Sequence, residues 1–216
     1  MPSTSTPNGA LPFKESDTYE EPFHLLDGQQ KSVPMMHQQS WFWYVAGDGY
    51  QAIELPYLNR TVAMVILLPE DGRFREIEQR LTGEWVSDVV GNLGDQDVIL
   101  TMPKFTYAPE LPLTQILPEM GMPDAFSNAD FSGILDMEKY RVYIKEVLHK
   151  SFIDVNEQKT EAAAATKVEI VVVEKGIEVG GPSPIVMRVD RPFMFVIHDI
   201  KTNTILFVGR VMNPAQ

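Results

Sequence analysis

The segment EQKTEAAAATKVEIVVVEK, residues 157–175, constrains the fold of this chain more than any other stretch. Its alanine run first suggests a helix, because alanine is the best intrinsic helix former. Read in steps of two, the segment instead separates into two rows, which is the pattern of a half-buried strand. One row is small or apolar throughout and comprises Thr160, Ala162, Ala164, Thr166, Val168, Ile170 and Val172. The other carries every charge between Thr160 and Val172 and comprises Glu161, Ala163, Ala165, Lys167 and Glu169.

The residues that follow this segment are not those of a sheet interior. Gly176, Gly180, Gly181, Pro182 and Pro184 come directly after it and are typical of a long exposed loop rather than a hairpin turn. Residues 157–175 therefore combine the pattern of a strand with the surroundings of a loop.

Composition excludes several classes of function. The 216 residues carry a net charge of −12, which argues against nucleic acid as a partner, because phosphate binding needs clustered Lys and Arg. The chain contains no cysteine, which excludes disulfides, thiolate catalysis and cysteine-ligated metals. No apolar run approaches the ~20 residues of a membrane span, and the first residues lack the pattern of a signal peptide. We therefore expect an acidic protein without a membrane partner or an export signal.

The remaining patterns predict an α+β fold dominated by antiparallel sheet. Residues 1–20 are expected to form a tail, and Asp27–Gly28 is a hairpin signal. Apolar spacings of three and four predict short helices at 74–81, 84–93 and 113–122. About nine strand candidates surround them, at residues 23–27, 31–45, 50–57, 61–70, 97–107, 141–157, 157–172, 184–200 and 204–212.

Candidate catalytic and metal-binding residues are scarce. The four histidines, His24, His37, His149 and His198, have no ligand-spaced partners, so we predict no metal and no cofactor. No serine lies in a G-x-S-x-G elbow, and no glycine-rich phosphate loop is present. His149 lies inside the strand candidate 141–157, where a buried imidazole needs hydrogen-bond partners. The sequence predicts that the protein is not an enzyme.

Ordered blocks along the chain nevertheless resemble one family. They are VPMM (33–36), ELPY (54–57), AMVILLP (63–69), MPKF (102–105), AFSNADFSGI (125–134), VLHKSFIDVNE (147–157), EQKTEAAAAT (157–166), DRPFMFVIHD (190–199) and ILFVGRVMNP (205–214). Together they are similar to serpins, and we expect a bacterial-type member. The resemblance implies a serpin-like α+β fold with a long exposed reactive loop at about 157–184. It covers only the C-terminal half of that fold, so we expect 21–216 to be this portion and the N-terminal helical half to be absent. Residues 1–20 would then be a poorly defined tail or a remnant of the missing half.

The resemblance also implies a function. A serpin inhibits a serine protease as a suicide substrate: the protease cleaves the loop, whose hinge then enters the main sheet as a new strand. The hinge here would comprise Glu157, Lys159, Thr160, Glu161, Ala162, Ala163, Ala164, Ala165 and Thr166. Lys159 stands where the family has glycine, and this departure is expected to slow insertion or shift its geometry. His149 matches the family's histidine in the region where the sheet opens.

The family's loop spacing places the cleaved bond at Val173–Glu174, which suits an elastase-like or subtilisin-like protease. Lys175 is the alternative and would suit a trypsin-like enzyme. By resemblance the location is extracellular. The competing hypothesis is a truncated, non-inhibitory fragment that is only a protease substrate, or that associates through an exposed sheet edge.

Overall fold

The computed structural model describes residues 13–57, 60–134, 136, 142–157 and 183–215. These residues form helices α1 (Phe74–Arg80), α2 (Gly83–Gly91) and α3 (Leu113–Glu119). Their strands are β1 (Thr18–His24), β2 (Gln30–Gly47), β3 (Tyr50–Pro56), β4 (Val62–Pro69), β5 (Gly94–Pro103), β6 (Phe105–Tyr107), β7 (Glu110–Pro112), β8 (Leu148–Lys150), β9 (Ile153–Val155), β10 (Ile185–Arg188), β11 (Phe193–Asp199) and β12 (Ile205–Val211). The predicted α+β class, dominated by antiparallel sheet, is confirmed.

An eight-stranded sheet contains most of the strands, in the order β10-β5-β2-β3-β4-β11-β12, with β1 also paired to β2. Its pairings are antiparallel except for that of β10 with β5, which is parallel. β2 is 18 residues long and therefore pairs with three strands along its length. Two smaller pairs are β6 with β9 and β7 with β8.

The chain divides into two compact units, one of residues up to 105 together with those from 154 onward, the other of 106–153. The core of the first unit lies where α1 and α2 cover the centre of the large sheet. β4 and β11 are buried along nearly their whole length, as expected for interior strands with both faces covered. In the second unit, α3 directly follows β7, and the backbone N–H of Leu113 donates a 2.9 Å hydrogen bond to the carbonyl of Val147, the residue before β8.

The β1–β2 hairpin and the three helices were predictable from local residues. Gly28 adopts φ +82° in the hairpin turn, a conformation that glycine reaches without steric cost. α2 begins after Thr82, whose hydroxyl accepts a hydrogen bond from the backbone N–H of Trp85. α1 is held to the β2–β3 turn by Asp48, which pairs with Arg73 and Arg80. The hydrogen bond from Arg73 has the largest effect on Asp48, and together with the one from Arg80 it lowers the pKa of Asp48 to about 2.

Three predicted strands are each interrupted in the structure. The candidate 97–107 divides at Lys104, and 184–200 divides before Phe193 because Pro192 has no N–H for a sheet ladder. The candidate 141–157 contains only the short strands β8 and β9, separated at Ser151 and Phe152. The long-strand interpretation of 141–157 was therefore wrong, and its slips in alternation coincide with the break.

At the start of the chain, β1 begins at Thr18, inside the segment expected to be a tail.

Candidate functional site

Glu157 is the first residue of the predicted hinge and the last described residue before 183. It is only 5% exposed, so its carboxylate needs partners inside the protein. The ammonium of Lys104 lies 2.8 Å from one carboxylate oxygen, Oε2. The hydroxyl of Thr18 donates a 2.8 Å hydrogen bond to the other, Oε1. We call these three residues the Glu157 anchor.

Strand pairing brings the partners of Glu157 together. Thr18 begins β1, which pairs with the first half of β2. Lys104 directly follows β5, on the other side of β2, and its backbone N–H donates to the carbonyl of Pro34, 2.9 Å away. The next residue, Phe105, packs edge-on against Phe193 with ring centroids 5.4 Å apart. Both partners are therefore held by the sheet, and the anchor fixes Glu157, the first residue of the predicted hinge, to it.

The electrostatics of the Glu157 anchor favour the charged carboxylate. Burial by itself would raise the pKa of Glu157. The Lys104 ammonium, a backbone N–H and the Thr18 hydroxyl outweigh that effect and lower the pKa below its usual value. The ionised form of Glu157 is therefore the one that stabilises the folded chain.

β1 also contacts the strand that follows the predicted loop. One carboxylate oxygen of Glu21 lies 3.1 Å from Nε2 of His37, whose Nδ1 is 3.0 Å from the carbonyl of Asp17. The other oxygen of Glu21 accepts a hydrogen bond from Arg188 of β10, and Arg188 Nε lies 2.9 Å from a carboxylate oxygen of Asp190. β1 therefore holds both the residue before segment 158–182 and the strand after it.

His149 lies in the second unit and is exposed. It belongs to β8, opposite Leu111 of β7, and its Nε2 is 3.0 Å from the hydroxyl of Ser151. The sequence did not determine whether this imidazole is buried, and the structure places it at the surface. The role that the resemblance implies for His149 in sheet opening remains a prediction.

The other histidines have structural contacts. His198 is buried, with Nε2 3.1 Å from a carboxylate oxygen of Glu54, and His24 Nδ1 lies 3.2 Å from the carbonyl of Asp190. Within the described ranges, no group of three or more His, Asp or Glu side chains is placed to hold a metal ion. None of the helices that the structure describes has the length and apolar character needed to cross a membrane.

The rest of the predicted site lies outside the described residues. This applies to the hinge from Lys159 to Thr166 and to the candidate cleavage positions. Those positions are Val173, Glu174 and Lys175. Their assignments therefore rest on the sequence.

Comparison with known proteins identifies the family. The model of the serpin family, described as serine protease inhibitors, matches residues 9–214. The chain belongs to the serpin family. It is 41% identical over 207 residues to an uncharacterised serpin-like protein of Thermococcus kodakarensis, covering 96% of this chain and 47% of that relative. It is 34% identical over 206 residues to antithrombin-III of Mus musculus, covering 94% and 43%.

A third relative, plasminogen activator inhibitor 1 of Bos taurus, is 37% identical over 213 residues, covering 94% of this serpin chain and 50% of the relative. The chain thus spans about half the length of the curated relatives it matches. Among solved structures, the native thermophilic serpin tengpin matches with a TM-score of 0.76 and 29% identity, covering 95% of this chain and 52% of that one. The complex of thyroxine-binding globulin with thyroxine matches with a TM-score of 0.79 and 26% identity, covering 97% and 54%.

Sequence reasoning singled out Glu157 as the start of the predicted hinge but did not find its two partners. Lys104 is 53 positions from Glu157, and Thr18 is 139 positions away — separations that no local pattern connects. One signal was present: Lys104 is the only charged residue in the largely apolar run from Val98 to Phe105. If such a cation is drawn into the protein with its neighbours, it needs an acidic partner.

We predict that the Glu157 anchor contributes measurably to stability. Glu157→Gln removes the charge that Lys104 and Thr18 bind, and we expect the free energy of unfolding to fall by about 1–3 kcal/mol. Lys104→Met should cost a similar amount, and the double variant should cost less than the sum of the two. Urea unfolding measures all three. Glu84→Gln, at an exposed site on α2, is the control; equal losses in it and Glu157→Gln would contradict the prediction.

We also predict that this contribution depends on pH. Because the folded-state pKa of Glu157 is lowered, its stabilisation is fully present above the ordinary glutamate pKa and is lost as pH falls through the lowered value. The difference in unfolding free energy between the wild type and Glu157→Gln should therefore narrow at acidic pH. Urea unfolding of both proteins from about pH 7 to about pH 3 measures it. A difference that stays constant over this range would show that Glu157 does not titrate as described.

Proposed function

We propose that this serpin chain acts as an inhibitor of a serine protease through cleavage of its loop and insertion of the hinge as a strand. The observation that carries the proposal is the position of the Glu157 anchor. Glu157 is fixed to the sheet by Lys104 and Thr18, and the two-row strand pattern begins three residues later at Thr160. A segment with the pattern of a strand thus starts from a point already attached to sheet structure.

The composition of the apolar row supports insertion. Thr160, Ala162, Ala164 and Thr166 are small, so they would enter a packed sheet face without overpacking it. The β-branched residues that follow in this row, Val168, Ile170 and Val172, would each gain about 1.5–3 kcal/mol on burial. Each new backbone hydrogen bond adds about 0.5–1.5 kcal/mol. Insertion would therefore be favourable enough to hold a reaction intermediate.

We propose Val173–Glu174 as the cleaved bond. A small aliphatic residue before the bond suits an elastase-like or subtilisin-like protease, whereas cleavage after Lys175 would indicate a trypsin-like target. Mass spectrometry of the chain after reaction with each class of protease distinguishes the two assignments.

An enzymatic function has little support. Ser151 and His149 are in contact, but they lie only two residues apart, and the histidine is exposed. Nucleophilic serine catalysis also needs an acid that orients the histidine and donors that stabilise the oxyanion. Neither His149 nor Ser151 makes a carboxylate contact among the hydrogen bonds and ion pairs of the described residues.

A second candidate function is that of a non-inhibitory fragment that associates through a sheet edge. β12 is the last strand of the large sheet, and three consecutive apolar residues on it are exposed: Leu206, Phe207 and Val208. An apolar edge strand is a template for pairing with another chain. Sedimentation velocity at several concentrations tests this candidate, and a monomer at every concentration would contradict it.

We predict that charge on the apolar row abolishes inhibition but not cleavage. Ala164→Glu would place an unpaired carboxylate inside the sheet, whereas Ala165→Glu, on the charged row, would place it in solvent. We expect both variants to be cleaved at similar rates, with Ala164→Glu forming at least about tenfold less SDS-stable complex, because burying an unpaired charge costs several kcal/mol. Gel electrophoresis after incubation with elastase-like and trypsin-like proteases measures both outcomes. Wild-type cleavage without any complex would contradict inhibition by this chain and favour the fragment hypothesis.

A further inference from the structure

Two tryptophans of β2 are exposed on one face of the large sheet. Trp41 is 56% exposed and Trp43 is 42% exposed, and their spacing of two places both on the same face of the strand. Directly across the ladder, Trp41 is paired with Asp97 of β5 and Trp43 with Asp95. Because paired residues share a face, the two indoles and the two carboxylates form one continuous surface. We call these four residues the Trp–Asp strip.

The carboxylates of the strip are not neutralised by the described part of the chain. Asp97 accepts hydrogen bonds from the amide of Gln39, with both distances 3.2 Å, and Asp95 is exposed. Neither aspartate forms an ion pair with any residue that the structure describes. Trp43 is also paired with Glu54 of β3, on the side of β2 away from β5. Unlike the two aspartates, Glu54 is buried against His198. The strip thus presents negative charge and aromatic faces to solvent together.

This combination fits the basic side chains of a protein partner. Lysine and arginine bind the faces of tryptophan through cation–π interactions, and a neighbouring carboxylate adds an ionic contact to the same cation. Exposed tryptophan is also among the residue types that contribute most to protein–protein binding. An anionic or purely apolar partner would leave the two carboxylates unpaired.

The strip lies beside the point where the predicted loop rejoins the sheet. β10 runs parallel to β5, with Ile185 paired to Val98. Val98 is the first residue of β5 that pairs with β10. Asp97 lies one residue before Val98, and Asp95 lies three residues before it, which is about 10 Å along the strand. A standard protein interface buries about 800 Å² on each partner, so a protease bound to the loop would extend over this distance.

We propose that the Trp–Asp strip is a secondary binding site for basic side chains on the surface of the target protease. The inference rests on the proposed function only in assuming that a protease engages the loop. The strip would increase the rate at which a cationic protease encounters the loop, and it would discriminate between proteases that share the same specificity for the cleaved bond. It therefore adds a determinant of target choice outside the loop itself.

Cationic and anionic trypsin test the proposal, because they cleave after the same residues and differ in net charge. Segment 158–182 offers both enzymes Lys159, Lys167 and Lys175. The measurement is kcat/KM for cleavage within this segment, followed by mass spectrometry at low and high salt. The test variants are the pair Asp95→Asn with Asp97→Asn and the pair Trp41→Ala with Trp43→Ala. The control, Glu84→Gln with Asp88→Asn, removes the same number of charges from exposed positions on α2.

We expect the aspartate pair to lower kcat/KM for cationic trypsin about 5–10-fold at low salt, with little effect at high salt. The tryptophan pair should also lower it, and the α2 control should not. Anionic trypsin should show no such losses. Equal effects of the strip and control variants, equal effects on the two trypsins, or no change in any variant would each overturn the proposal. Urea unfolding midpoints confirm that each variant is folded, and the aspartate pair preserves side-chain shape.

The same reactions separate this inference from the proposed function. SDS-stable complex reports inhibition, whereas kcat/KM for cleavage reports recognition. Cleavage that depends on the strip without any complex would refute inhibition and support the strip. Formation of SDS-stable complex, with cleavage rates that do not depend on the strip, would support inhibition and refute the strip.

Discussion

The buried carboxylate of Glu157 is the interaction on which the account of this serpin chain depends. A carboxylate that is 5% exposed is costly unless it is paired, and here Lys104 and Thr18 supply the charge and the hydrogen bond. Those partners are in place only because β1 and β5 flank β2 on opposite sides. The start of the predicted hinge is therefore fixed by the pairing of three strands that lie far from it in sequence.

β1 has a larger role than its seven residues suggest. Through Thr18 it contacts Glu157, the first residue of the predicted loop, and through Glu21 it contacts Arg188 after the loop. The far side of β2 faces β5, which carries the aspartates of the Trp–Asp strip. Strands β1, β2 and β5 thus bring together the residues at both ends of the predicted loop and the proposed secondary binding surface in one part of the first unit.

The turns and helices of this fold could be predicted from the sequence, because each depends on residues that are close together in the chain. Asp27–Gly28 specifies a turn with positive φ, and the apolar spacing of α1 and α2 specifies helices that cover a sheet. The contact between Lys104 and Glu157 could not be predicted in this way, since it depends on strand order. The exposure of His149 was missed for a related reason: alternation predicts a strand, but it does not show which face the rest of the fold covers.

The central claim is that residues 160–172 are a strand that joins the sheet once the loop is cut. Hydrogen–deuterium exchange of the amides in this segment, compared between intact chain and chain cleaved at a single loop bond, tests it most directly. The account predicts that these amides become strongly protected after cleavage, since each would then donate a hydrogen bond within the sheet. Exchange that is unchanged by cleavage would contradict insertion, and with it the inhibitory mechanism.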